Sequence, residues 1–378
     1  MNTSIRHALA VAAATLAVCG LGCSVTAAGS AGPTAARPGP LAATVPASFQ
    51  PAAASFQSPS SGVVLGGVGC TVQGACRARL AATTDTGAHW RYLPIPKVWL
   101  PTAGAGSHPV VSQLVFTSPQ AGWLFGQYAS GTVWATHDGG VHWARLTLPG
   151  TVAAMAAGGG NAYAVVYRNG ADQLFRSPVT RNAWARAGTL TAAQGASLAV
   201  FGTAAWFGDS THLWATADGL RWHEYPFSCP GSYGGEPYQL VGIAAASRTE
   251  VAFLCASAAG MFHTGKEVLV SVNGGRTARL TGHAPWPGDV SGFATPPYRS
   301  TVLTIAVEYP GPSRLYRSAS SGKTWAVIGV PGSGGISLSS LSYVSRSVGW
   351  LVIGSPGMMG SQLLRTVTGG RTWTAVGF

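Results

Sequence analysis

Charge is what this sequence has least of. Asp, Glu, Lys and Arg together make up 9% of its 378 residues, and only 11 of them are acidic. Lysine is confined to Lys97, Lys266 and Lys323. So little charge leaves no long polar helix with heptad charge pairs, and a coiled coil is excluded. The cysteines form no C-x-x-C pair and no histidine pair lies near them, so neither a metal centre nor any other cofactor is expected. H-E-x-x-H, a G-x-S-x-G elbow and a phosphate-cradling loop before a helix are all missing. Gly158-Gly159-Gly160 and Gly332-Ser333-Gly334-Gly335 read as turns. No segment beyond the N-terminus reaches about 18 uninterrupted apolar residues, so no later membrane span is expected.

The net charge is +12, carried mostly by arginines scattered along the chain, such as Arg77, Arg79, Arg145, Arg168, Arg221 and Arg276. No basic run interleaves with aromatics, so nucleic acid is not an expected partner. With 52 Gly and 13 Trp, the composition favours many short strands joined by tight turns.

Residues 1–23 have the layout of a signal peptide. Arg6 and His7 form a weakly basic start, and Ala8 to Val18 is an apolar stretch too short to span a bilayer. Gly20-Leu21-Gly22-Cys23 resembles a bacterial lipobox, departing from it at Gly20, where an aliphatic residue is usual. Cleavage there would leave Cys23 lipidated. Val25-Thr26-Ala27 offers an ordinary secretory site instead. Residues 24–51, rich in Ala, Gly, Pro, Ser and Thr, read as a disordered tether. The folded domain is expected over 52–378, monomeric and extracytoplasmic, touching a membrane only through its lipid.

One motif recurs roughly every 45 residues, the period of a propeller blade. Thr83-Thr84-Asp85-Thr86-Gly87-Ala88-His89-Trp90 matches Thr136-His137-Asp138-Gly139-Gly140-Val141-His142-Trp143. The boxes ending at Trp325 and Trp373 match too, but carry Ser320 and Thr368 at the Asp position. A fifth has Asn273, and Ala278 in place of Trp. The copy from Thr216 through Asp218 to Trp222 is one residue shorter, and Ser177 to Trp184 keeps only the ends. A second element precedes most boxes: Phe116-Thr117-Ser118-Pro119-Gln120-Ala121-Gly122-Trp123 resembles Tyr343 to Trp350, and Phe56 to Gly66 is a third version. Asp fixes a tight turn by accepting backbone N–H groups, Gly supplies positive φ, and Trp packs between units. The three aspartates are therefore read as turn braces.

These copies resemble the Asp-box, or BNR, repeats of sialidases, which also occur in xyloglucanases and sortilin-like receptors. The Phe-x-Ser/Thr-x-x-x-Gly-Trp element looks most like the non-catalytic photosystem II assembly factor family. The resemblance implies an all-β fold, a seven-bladed β-propeller of four-stranded antiparallel blades. In such a fold the short box turns share one face with the A–B turns. The D–A connections and B–C loops share the other. Ring closure is expected without strand exchange, by packing helped by residues 44–48.

Cys70, Cys76, Cys229 and Cys255 are even in number, as in an exported disulfide-bonded chain. Of three connectivities, proximity within the repeat favours Cys70–Cys76 and Cys229–Cys255, both on the loop-rich face. Long connections there hold the candidate binding residues: Lys97 and Trp99 in Tyr92 to Ser112; Tyr233 and Glu236 in Glu224 to Gln239; Trp286 and Asp289 in Leu280 to Ser291; and Glu308 and Tyr309. Exposed aromatics there suit a sugar ring or a protein anchor. A glycosidase would need two carboxyl groups across the scissile bond. Candidates reduce to Glu224, Glu236, Asp289 and Glu308, and the Arg-Ile-Pro signature of sialidases is missing. A non-catalytic propeller binding a protein or an envelope glycan is the expectation, with a sialidase-like hydrolase as the alternative.

Overall fold

The computed structural model of the chain describes residues 44–257, 262–309, 314–332, 337–358 and 361–378. The export segment with Cys23, and most of the stretch read as a tether, lie outside them. Seven four-stranded antiparallel sheets follow one another over 49–93, 113–147, 151–193, 197–226, 239–284, 289–329 and 338–376. Within each, the strands, called A to D, pair in chain order. Each strand A contacts strand A of the next blade, and the last contacts the first. The chain is a seven-bladed β-propeller. The first strand begins at Phe49, ahead of the boundary expected at 52, because Val45 and Phe49 are buried between the first and last blades.

The box works as a hydrogen-bonded turn. The Thr83 hydroxyl donates to Asp85 Oδ1 (2.8 Å) and accepts the Gly87 N–H (3.0 Å), while Asp85 Oδ1 accepts the His89 N–H (3.0 Å). Asp138 accepts the His142 N–H in the same way (2.9 Å). The copies lacking Asp keep the bond: Asn273 Oδ1 accepts from Thr277 (3.0 Å), Ser320 Oγ from Thr324 (2.9 Å) and Thr368 Oγ1 from Thr372 (3.0 Å). The turn therefore needs an acceptor oxygen at that position, not a carboxylate.

The Gly-Trp element has an equally local cause. A Cβ on Gly62, Gly122 or Gly349 would fall 2.1, 2.5 or 2.7 Å from the ring of Phe56, Phe116 or Tyr343. The aromatic at the end of strand A thus lies on the bare backbone at the start of strand B. The turn between them is braced by a serine: Ser118 Oγ accepts the Gln120 (3.2 Å) and Ala121 (3.0 Å) N–H groups, and Ser345 does the same for Ser347 and Val348.

The core is divided among the blade seams. The box tryptophan packs into the cluster shared with the preceding blade: Trp90 against blade seven, Trp143 against one, Trp184 against two, Trp222 against three, Trp325 against five and Trp373 against six. No strand is exchanged where the ring closes. Trp90 Nε1 donates to the Gly377 carbonyl (2.8 Å), the Phe378 ring lies 4.7 Å from Trp90 and 4.6 Å from Phe49, and Thr44 bridges Arg91.

Candidate functional site

Both disulfides form as expected, with Cα–Cα distances of 5.0 Å (Cys70–Cys76) and 5.7 Å (Cys229–Cys255). The first closes the B–C loop of blade one. The second ties the connection after blade four to strand B of blade five. Both lie on the face of the D–A connections and B–C loops, here called the mouth face.

Six of the eight candidate residues come together there, around blades five and six. Strand D of blade five (Arg279–Ala284) and strand A of blade six (Asp289–Ala294) leave only 285–288 as connection. The long loop expected from Leu280 to Ser291 is mostly strand, because both flanks complete their sheets. The remaining turn is pinned by backbone bonds. Thr264 N–H donates to the Trp286 carbonyl (3.1 Å) and Gly288 N–H to the Phe262 carbonyl (2.7 Å). Tyr316 Oη donates to the Pro287 carbonyl (2.7 Å). Below it lies Lys266, 1% exposed, whose ammonium donates to the carbonyls of Thr264 (2.8 Å), Trp286 (2.9 Å) and Pro285 (3.1 Å). Burial lowers Lys266 to about 8, against the opposing pull of the Asp289 carboxylate.

This seat turns Trp286 outward, 47% exposed. Its ring meets Tyr233, 56% exposed, edge-on at 5.7 Å. Tyr233 pairs with Glu236 across a two-residue hairpin turn, where Gly234 and Gly235 take φ of 61° and 87°, values a Cβ would disfavour. Glu236 is exposed beside it. On the other flank the Tyr309 ring lies 6.5 Å from Phe262 and 5.4 Å from the Arg314 guanidinium.

Asp289 and Glu308 are direct cross-strand partners, so their side chains project from one face of the sheet. Asp289 Oδ1 accepts the Thr264 hydroxyl (2.7 Å). Burial pushes the Glu308 carboxyl up; the Leu338 N–H offsets this in part, and the Asp289 charge adds to it. The pair therefore places a carboxyl that holds its proton more readily than usual beside a second carboxylate.

Lys97 and Trp99 lie apart, between blades one and two. Trp99 is half-buried, stacks on His108 at 4.0 Å with Lys97 Nζ 5.9 Å from its ring, and bridges Arg77 and Val110 through its backbone. Glu224 is exposed on strand D of blade four. Phe227 and Tyr238, in the same connection as Tyr233, are buried and hold it down. Sequence reasoning missed Phe262, Thr264 and Lys266. The available signal was Lys266 itself, one of three lysines and the first residue of an apolar strand.

The central channel is lined by small and hydroxyl side chains, including Ser55, Ser291, Ser339, Ser340 and Ser342, with Met155. Among the described residues, no three His, Cys, Asp or Glu side chains gather as metal ligands, and no helix is long and apolar enough to cross a membrane. The two disulfides fit an oxidising, extracytoplasmic environment.

No protein-family description matches the chain, and no curated protein matches it. Among solved structures it is similar to YCF48 bound to D1 peptide, at 17% identity over 86% of this chain and 96% of that one, with a TM-score of 0.50. It is similar to YCF48 from Cyanidioschyzon merolae at 15% identity over 87% and 99%, with a TM-score of 0.55. A GH74 xyloglucanase from Xanthomonas campestris is 14% identical over 89% of this chain and 55% of its own, with a TM-score of 0.54. The chain thus spans about half the length of that xyloglucanase. At these identities, what the chain shares with YCF48 and the xyloglucanase is the propeller fold.

Proposed function

We propose that this chain is an exported, lipid-tethered and non-catalytic propeller that grips a segment of a protein partner across blades five and six of its mouth face. The Tyr233–Trp286 pair carries the reading: two large rings are held exposed by a disulfide, a Gly-Gly turn and the Lys266 ammonium. Aromatics immobilised before binding give contact area at low ordering cost. Glu236 adds a polar contact beside them. That a YCF48 propeller is described as bound to D1 peptide supports a protein ligand over an envelope glycan, the other class the aromatics suit.

Photo-crosslinking in the native host from a reactive side chain at position 286 tests it. Capture of one partner, lost with Tyr233→Ala, is the expected result. Retention of an envelope glycan instead, or capture unaffected by Tyr233→Ala, would defeat the reading. Cys23→Ala should release the protein from the membrane fraction.

The Asp289–Glu308 pair favours a second reading, a glycoside hydrolase, since unequal carboxyls on neighbouring strands suit acid and base roles. Turnover of fluorogenic sialosides or β-glucan oligosaccharides, abolished by Glu308→Gln, would establish it in place of the first.

A further inference from the structure

Six box tryptophans each fill a seam, and the seam between blades four and five has none. Blade five carries Ala278 at that position, packed against the cluster of Trp206, Leu213, Ala215 and Tyr225. In the two preceding seams the aromatic on strand B meets a box indole edge-on: Trp123 meets Trp184 at 6.4 Å, and Tyr163 meets Trp222 at 5.9 Å. Trp206 occupies the same position on its strand and is held by a bond from Nε1 to the Gly274 carbonyl (2.9 Å). With Ala278 opposite, a cleft of about 1570 Å³ opens on the box-turn face, bordered by Trp206, Ala215, His223 and Tyr225.

The rim of this cleft is cationic. Arg221, Arg248 and Arg276 border it, against one carboxylate, Asp218. That carboxylate is committed to its own turn, accepting the N–H groups of Leu220 and Arg221, both at 2.8 Å. Arg248 is fixed in place by a bond from Nη2 to the Ala217 carbonyl (3.0 Å). Elsewhere in the ring this location takes an indole; here it is open, floored by aromatic rings and rimmed by guanidinium groups. We propose that the vacant seat at Ala278 binds an aromatic side chain of a partner polypeptide, flanked there by acidic residues. The rings receive the aromatic face, and the arginines pair with the flanking carboxylates. The cleft is on the face opposite the mouth, so the proposal stands independently of the mouth-face reading.

The test uses the full-length protein and a fluorescently labelled peptide, Glu-Asp-Trp-Asp-Glu, followed by anisotropy. Saturable binding is expected. It should weaken at least tenfold when Ala replaces the peptide's Trp, and again when Gly and Ser replace its acidic residues. Ala278→Trp fills the seat from within and should abolish binding while raising the melting temperature. Arg276→Glu, on an exposed turn, should weaken binding at least tenfold with melting unchanged. The proposal is overturned if wild type shows no saturation, if the peptide lacking Trp binds equally well, or if binding survives both protein variants.

Discussion

Trp350 of the last blade lies flat on Phe56 of the first, with ring centroids 3.6 Å apart and planes within 4°. The other side of Phe56 rests on Gly62, so the ring is clasped between its own blade and the one that closes the circle. Trp350 and Phe56 belong to one buried cluster with Trp90, Val45 and Phe49. Side-chain packing of this kind does at the closing seam what a shared strand would otherwise do.

Trp350→Ala should therefore lower the unfolding free energy by about 3–5 kcal/mol, the usual cost of emptying a buried indole site. Urea denaturation followed by fluorescence would measure it. Deleting 371–378 removes Trp373 from one seam and the Gly377 and Phe378 partners of Trp90 from another, so cooperative unfolding should be lost. An unchanged midpoint in the truncated protein would show that the ring does not close here.

The box aspartates predict an acid sensitivity. Asp85 and Asp138 are held down to about 2, from an ordinary 3.8, first by the backbone N–H and then by the side chain of His89 and His142. Asp218 is lowered equally by the Arg221 and Leu220 N–H groups. A carboxylate whose pKa is depressed in the folded state adds stability that is complete above its unfolded value and is lost as pH falls through the folded one. Stability should thus decline between about pH 4 and pH 2. The triple variant Asp85→Asn, Asp138→Asn, Asp218→Asn should flatten that part of the profile while still folding, because Asn273 already makes the same turn. A decline as steep as wild type would place the sensitivity in other groups.

Blade number was legible in the sequence because its causes are local. An acceptor oxygen, a glycine and a tryptophan at fixed offsets make a turn without reference to the rest of the chain. The site was legible only in part, because burial is decided at long range. Tyr233 and Tyr238 look alike in one connection, yet Tyr238 is buried with its hydroxyl against Gly265, where a side chain would collide, and Tyr233 is free to meet Trp286. Lys266 carries no local mark of its role, since its three acceptors come from two separate loops. The loss of Trp at Ala278 is visible in the sequence; the cleft it leaves depends on Trp206 and three arginines from neighbouring turns.

The two disulfides should differ in worth. Cys229 and Cys255 are 26 residues apart and Cys70 and Cys76 only 6. Chain-entropy arguments then assign about 3.5 kcal/mol to the first and about 2 kcal/mol to the second. Paired Cys→Ala variants compared by urea unfolding would show the order. The Cys229→Ala/Cys255→Ala variant should also increase hydrogen exchange across the Tyr233 hairpin, which that bond anchors, whereas removing Cys70–Cys76 should leave the hairpin unchanged.

The glycine beneath each strand-A aromatic makes the sharpest test of how the repeat folds. At Gly122 an added Cβ would lie 2.5 Å from the Phe116 ring. That ring is 1% exposed and cannot swing away without disturbing the seam with blade one. Gly122→Ala should therefore cost about 1–3 kcal/mol through overpacking. Phe116→Ala should cost about 3–5 kcal/mol through the cavity it leaves. Combined, the two should cost clearly less than their sum, because the methyl group then enters space the ring has vacated. Gly329, on an outer strand, has open space where its Cβ would stand, and Gly329→Ala should be neutral. Additive losses at Gly122 and Phe116, or a loss at Gly329 as large as that at Gly122, would mean that backbone freedom, not the overlying ring, explains the glycine.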